Sequence, residues 1–232
     1  MLTFANVINP HIMEVKRIRC GQKNMEAIED NSGQALRRAP SQKRSQERVE
    51  RMLQAARALI SEGGSDAMRM GEVAERASVS IGSLYQYFPD KGAIIRTLAE
   101  RYNAEGRACI ADGLAGVRDM KGLIEAFGGL IDVYYGIFLA EPVMRDIWSG
   151  TQADKALRDI DLRDSRANGA LLAEAWRRVA PAVNAAEIER KAFLIMSLGE
   201  SAMRLAISVE RAEGDALVSD YKAMALREVA AL

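Results

Sequence analysis

Arg69-Met-Gly-Glu-Val-Ala-Glu-Arg-Ala-Ser-Val-Ser-Ile-Gly-Ser-Leu-Tyr-Gln-Tyr-Phe-Pro-Asp-Lys91 is the stretch from which the fold is read. Val73, Ala74 and Ala77 repeat at i, i+1 and i+4, one apolar face of a short helix. Ser78-Val79-Ser80 breaks that pattern, and Ser80 suits an N-cap because its hydroxyl can accept from an amide two or three residues on. Leu84 and Phe88, four apart, set one side of a second helix against Val73, Ala74, Ala77 and Val79. Pro89 ends it by pushing Phe88 out of helical geometry, and Asp90 is placed to cap a further helix from Lys91.

Taking away the buried side of the second helix leaves Gly82, Ser83, Tyr85, Gln86 and Tyr87, with no carboxylate among them. Ile81 is read as either exposed or partly buried. A glycine inside a helix costs about 1 kcal/mol relative to alanine, so Gly82 implies close approach of a DNA backbone or of a neighbouring helix. The layout is that of a helix-turn-helix, whose second helix enters the major groove.

From Arg48 to Tyr102 the chain resembles the tetracycline-repressor (TetR) family of transcription regulators. The residues that carry the resemblance are Val73-Ala74-Glu75-Arg76-Ala77-Ser78-Val79-Ser80 and then Ile81-Gly82-Ser83-Leu84-Tyr85-Gln86-Tyr87-Phe88, with Lys91 after a short break. Ser78 stands where the family has a turn glycine, so this turn must tolerate a side chain. Arg69 stands where a Thr or Ser often caps the preceding helix. The resemblance implies an all-α protein with an N-terminal three-helix DNA-binding domain and a larger C-terminal helical domain for ligand binding and dimerisation. The expected division is a flexible leader over 1–40, a DNA-binding domain over 41–102 and the C-terminal domain over 103–232. The implied partners are a double-stranded DNA operator, a second copy of the chain and a small-molecule effector.

On this reading Tyr85, Tyr87 and Lys91, with Arg44 and Arg48, position phosphates, and Arg69 lies beside them. Ser80, Ser83 and Gln86 are placed to reach base edges, where glutamine suits adenine. Ile81 meets a thymine methyl if it is exposed. The rings of Tyr85 and Tyr87 have a second use, packing on the adjoining helix. Arg44, Arg48 and Arg51 lie near the start of an amphipathic helix over Ser45 to Glu62, whose stripe is Val49, Met52, Leu53, Ala56, Leu59 and Ile60. Gly63-Gly64 end that helix. The run Arg37-Arg38-Ala39-Pro40-Ser41-Gln42-Lys43-Arg44 reads as a solvated linker or as a DNA-contacting arm.

Charge agrees in direction. The chain carries 32 basic and 32 acidic side chains, yet Arg37 to Arg107 holds 13 basic against 9 acidic, leaving 19 against 23 elsewhere. A basic N-terminal half suits a phosphate partner. Two cysteines, Cys20 and Cys109, make no disulfide framework and suit a reducing cytoplasm. One histidine, His11, and no cysteine cluster argue against a zinc site, so no metal or cofactor is expected. The opening residues lack the basic start and unbroken apolar run of a signal peptide, and either Met13 or Met25 suits a later start. No stretch is read as a membrane span.

Beyond Lys91 the periodicity is helical throughout: Lys91 to about Ala111, Met120–Ala140, Val143–Ser149, Ala153–Ala180, Ala185–Glu210 and Asp215–Ala231. Phe127 to Ala140 is apolar nearly all round, with Asp132 as its sole charge, and is expected to be buried on several sides. Asp132 is then either a paired structural carboxylate or a ligand-binding group in a cavity lined by Phe127, Tyr134, Tyr135, Phe138, Met144, Trp148 and Trp176. Aromatics in such a pattern are more often plain core than pocket.

Ala185–Glu210 has two apolar stripes, and one of them must be covered. The expected dimer surface is Met196, Gly199, Met203 and Ile207 there, with Val218, Tyr221, Ala225 and Val229 on the last helix, forming a four-helix bundle across a two-fold axis. The leading reading is a ligand-responsive repressor and not an enzyme. A helical protein-interaction module or a carboxylate-based helical enzyme remains the alternative.

Overall fold

The computed structural model describes residues 39–150 and 154–231, and every regular element among them is a helix. In chain order these are α1 (Ala39–Ala67), α2 (Met70–Arg76), α3 (Ile81–Tyr87), α4 (Lys91–Ala115), α5 (Met120–Ala140), α6 (Pro142–Gly150), α7 (Lys155–Val179), α8 (Ala185–Ala206) and α9 (Arg211–Ala230). Residues 46–232 make one compact unit. The expected all-α class is what is found. His11, Cys20, Arg37, Arg38 and nearly all of the expected leader lie outside the described residues.

Short polar residues start the helices as local chemistry requires. Ser80, Asp90, Asp119, Asp154 and Asn184 each accept from the amides of the first turn, at 2.7–3.3 Å, and so satisfy donors that the helix itself leaves open. Within α1 the backbone breaks at Gly64, where φ is +80° and ψ 163°, the stop that Gly63-Gly64 announced. The helix begins earlier than expected, however: Lys43 and Arg44 lie within α1 and not in a loose arm.

Met52, Leu53, Ala56 and Ile60 of α1, Val73, Ala74 and Ala77 around α2, and Leu84 and Phe88 around α3 are all buried. They join Ile94 and Leu98 of α4 in one continuous core. Farther on, α7 runs against α8 so closely that a Cβ on Gly169 would stand 2.8 Å from the Phe193 Cα. α4 and α5 pack beside this pair, and α9 packs against α5 and α8.

Two expectations about α5 are corrected. By length and composition it is apolar enough to cross a membrane (21 residues, mean hydropathy 1.5), which the sequence reading missed. Its packing against α4, α7 and α9 is that of a core helix. Nor is it buried on every side: Lys121, Glu125, Gly129 and Asp132, spaced i, i+4, i+8 and i+11, form an exposed edge. Asp132 therefore lies at the surface, accepting from Lys222 Nζ of α9 at 2.6 Å. It is paired, as the structural alternative held, but it is not buried and faces no cavity.

Candidate nucleic-acid interface and ligand cavity

Helices α2 and α3 are joined by a Schellman turn: Val79 N–H donates to Ala74 C=O at 3.0 Å and Ser78 N–H to Glu75 C=O at 3.0 Å. That geometry puts Ser78 at φ +54°, the left-handed conformation that glycine adopts freely. A side-chain-bearing residue pays about 1–2 kcal/mol there, against which glycine loses more freedom on folding. Ser78→Gly is expected to raise stability by about 0.5–1 kcal/mol. Urea unfolding checks it, and a loss of stability would mean the Ser78 hydroxyl contributes more than the strain costs.

The turn aims α3 outward. Leu84 is fully buried, Ser83 and Tyr87 are half-buried, and Ile81, Gly82, Tyr85 and Gln86 form the open face. Ile81 is 45% exposed and Tyr85 49%, which settles the open question about Ile81. A Cβ on Gly82 would meet nothing within 4 Å, so the chain's own packing does not require that glycine. Ser80 is committed to the cap of α3 through Ser83 N–H, at 3.1 Å. Arg48 reaches from α1 to Ser83 Oγ at 3.4 Å, which puts a guanidinium beside the open face. Arg44 and Arg69 are exposed, and Arg69 precedes α2 without a side-chain cap.

Lys91 is placed differently from its expected use. Its ammonium donates to Asp66 C=O at 3.0 Å and Ser65 C=O at 3.3 Å, tying the start of α4 to the end of α1. Ser65 N–H in turn donates to Asp146 Oδ2 of α6 at 3.0 Å. The turn that leads into α2 is thus held from two sides.

Farther along lies a cavity of about 80 Å³, room for several waters. Of the expected lining, Phe127, Tyr134 and Met144 are in its wall. Phe138, Trp148 and Trp176 are not; they are fully buried core, with Phe138 and Trp148 edge-to-face at 6.1 Å. Tyr135 is a strut, its hydroxyl donating to Asp215 Oδ1 of α9 at 2.9 Å. Four residues expected at a dimer surface, Met196, Gly199, Met203 and Tyr221, line this cavity instead. Tyr221 donates to Ile195 C=O at 2.8 Å. Val218, Ala225 and Val229 are buried within the chain as well, and Ile207 is half-buried against the core. The stripe they make faces α5 and α8, so the expected interface is the inner side of these helices.

Apart from Tyr134, the polar part of the wall was not expected. Asp164 and Asn168 of α7 and Glu200 of α8 are buried carboxylates and amide, while Tyr102 and Asn103 come from α4. Arg107 of α4 is ion-paired with Asp164 Oδ1, and Asn168 Nδ2 donates to Asp164 Oδ2 at 2.9 Å. Burial raises the Asp164 carboxyl, with Arg107 opposing. Burial and then the Asp161 charge push the Glu200 carboxyl up to about 9, so it carries its proton at neutral pH. Ser165 Oγ donates to Glu200 Oε2 at 2.8 Å, and Arg204 pairs with Asp161 at 3.1 Å. Burial likewise drives the Tyr134 hydroxyl well above its ordinary value. A signal for these residues does exist in the sequence: Asp164 and Asn168, four apart, interrupt the apolar stripe of Leu157, Ile160, Leu172 and Trp176.

Known proteins match in the same two places. Residues 52–98 match the family described as bacterial regulatory proteins, tetR family, and residues 121–232 match the tetracyclin repressor-like C-terminal domain. The chain belongs to the TetR family. The HTH-type transcriptional repressor KstR of Rhodococcus jostii (strain RHA1) is 46% identical over 65 residues, which is 26% of this chain and 31% of that protein. The match thus spans about a third of the relative's length. A TetR-family transcriptional regulator from Streptomyces coelicolor has the same fold, with a TM-score of 0.61 at 23% identity over 80% of this chain and 96% of that one. RolR, solved in complex with resorcinol, gives 0.60 at 20% identity, covering 81% and 89%.

Proposed function

We propose that this member of the TetR family is a DNA-binding transcriptional regulator, a repressor that works as a homodimer and releases its operator when a small molecule enters the cavity. It is not an enzyme, and its place of work is the bacterial cytoplasm. The observation that carries the reading is the open face of α3: Ile81, Gly82, Tyr85 and Gln86, exposed and without a carboxylate, with Arg48 beside it. Residues 41–102 would form the DNA-reading domain and 103–232 the effector and pairing domain.

On DNA, Gln86 reads a base edge, Ile81 meets a thymine methyl, and Tyr85 with Arg44, Arg48 and Arg69 holds phosphates. Ser80 and Ser83 contribute from the first turn of α3, and Tyr87 from its half-buried end. Lys91 acts indirectly, by fixing the turn ahead of α2. The test is a mobility shift of the chromosomal fragment upstream of its own gene, with salt varied. Gln86→Ala is expected to weaken the specific complex about tenfold while leaving nonspecific binding in place. Tyr85→Ala is expected to weaken both. A wild-type chain that shifts no upstream fragment at low salt would overturn the reading.

Pairing is assigned to the outer side of α8, where Leu194, Leu198 and Leu205 are each more than half exposed at spacings i, i+4 and i+11, together with Met224 of α9. Large apolar side chains lined up in water are characteristic of an interface. Leu198→Glu with Leu205→Glu is expected to give a monomer in analytical ultracentrifugation and to abolish the operator shift. A dimer that survives both changes would place the contact elsewhere.

A further inference from the structure

The wall of the cavity restricts what can enter it. No lysine or arginine lines it. Its two acids are already provided for: Asp164 is held by Arg107 and Asn168, and Glu200 accepts from Ser165. An anionic ligand would thus find no counter-charge, and a cationic one no free carboxylate. Most of the remaining wall is aliphatic or aromatic, including Ile110, Phe127, Leu130 and Ile137.

Against that apolar background Asn168, a residue of the wall, keeps one buried polar atom without a hydrogen-bond partner, its Oδ1. The Asn168 amide cannot be turned over to relieve this. Its Nδ2 faces the Asp164 carboxylate, which only accepts, so Oδ1 must be the end left over. A buried acceptor without a donor is uncommon in a folded protein and asks for one. Asn168 is itself more than nine-tenths buried.

We propose that the effector is an uncharged molecule with an apolar ring or short-chain body and one hydroxyl or N–H group, which donates to Asn168 Oδ1. The inference rests on the cavity being the effector site, as above, and it specifies the chemistry of that site. The donor supplies the missing bond, and the body replaces the water of the apolar wall.

The test uses four probes of one shape with the full chain, by calorimetry and without DNA: para-ethylphenol, para-ethylanisole, para-ethylbenzoate and para-ethylbenzylamine. The phenol is expected to bind about tenfold more tightly than its methyl ether, the equivalent of one hydrogen bond. The benzoate and the benzylammonium, both charged at neutral pH, are expected to give no measurable heat. Asn168→Ala is expected to bring the phenol down to the level of the ether, whereas Tyr102→Phe keeps the difference. Equal binding of phenol and ether, tighter binding of either ion, or failure of all four to bind would overturn the proposal. So would loss of the difference in Tyr102→Phe with its retention in Asn168→Ala. The comparison of probes needs no altered protein, so a variant that fails to fold does not remove the test. The operator shift, run on the same preparation without any probe, shows separately whether the DNA reading stands.

Discussion

Arg107→Met lowers the stability of the folded chain by about 3 kcal/mol, because it strips the counter-ion from a buried carboxylate. Asp164 is 9% exposed at its side chain, and Arg107 is the cation paired with it. Burial already raises the Asp164 carboxyl with the guanidinium present, so without it the charged form is left uncompensated in the interior. That costs far more than removing an ordinary surface ion pair, for which about 0–1 kcal/mol is usual. The second carboxylate oxygen keeps its bond from Asn168, so the loss should not exceed this range. The double change Arg107→Met with Asp164→Asn is expected to return most of the loss. Urea unfolding of the two single variants and the double one measures the coupling. A fall of under about 1 kcal/mol in Arg107→Met would mean that solvent reaches Asp164 freely.

Glu200 gives the second large effect, and its sign is the reverse of the usual one for an acid. Its folded value of about 9 lies above the ordinary 4.5, so between these limits the folded chain keeps a proton that the unfolded chain has given up. Its contribution to stability is complete below 4.5 and is lost as pH rises toward 9. The slope is on the order of 1 kcal/mol per pH unit. Asp161, Asp164 and Ser165 of α7 act on the carboxyl, and Arg204, one turn along α8, pairs with Asp161. Glu200→Gln keeps the shape and removes the titration. Wild-type stability is expected to fall from about pH 6 to about pH 8, while that of the variant stays nearly level over the same range. Parallel curves for the two proteins would show that Glu200 is ionised in the fold.

How far the sequence could be read depended on what each residue answers to. Ser80, Asp90 and the Gly63-Gly64 pair answer to local chemistry, and they cap or stop helices where expected. Leu84 and Phe88 answer to a period of four, and both are buried. Asp132 and Val218 answer to the direction in which a face points, which periodicity leaves undetermined. α8 and α9 each carry apolar residues on more than one side, and the inner ones, Met203, Val218 and Val229, were mistaken for the outer. Leu194, Leu198 and Leu205, the truly exposed set, sit on the neighbouring stripe. The polar cavity wall was lost for a different reason. Asp164, Asn168 and Glu200 come from two helices, and nothing local shows that Arg107 of a third helix supplies the charge that lets Asp164 be buried.

The turn at Gly64 to Asp66 has one more consequence. It is gripped by Asp146 of α6 on one side and by Lys91 at the root of α4 on the other. Met144, two residues before Asp146 on the same nine-residue helix, touches the cavity. This helix of about two and a half turns thus has one residue on the cavity wall and another holding the turn that leads into α2, so a single short element joins the two.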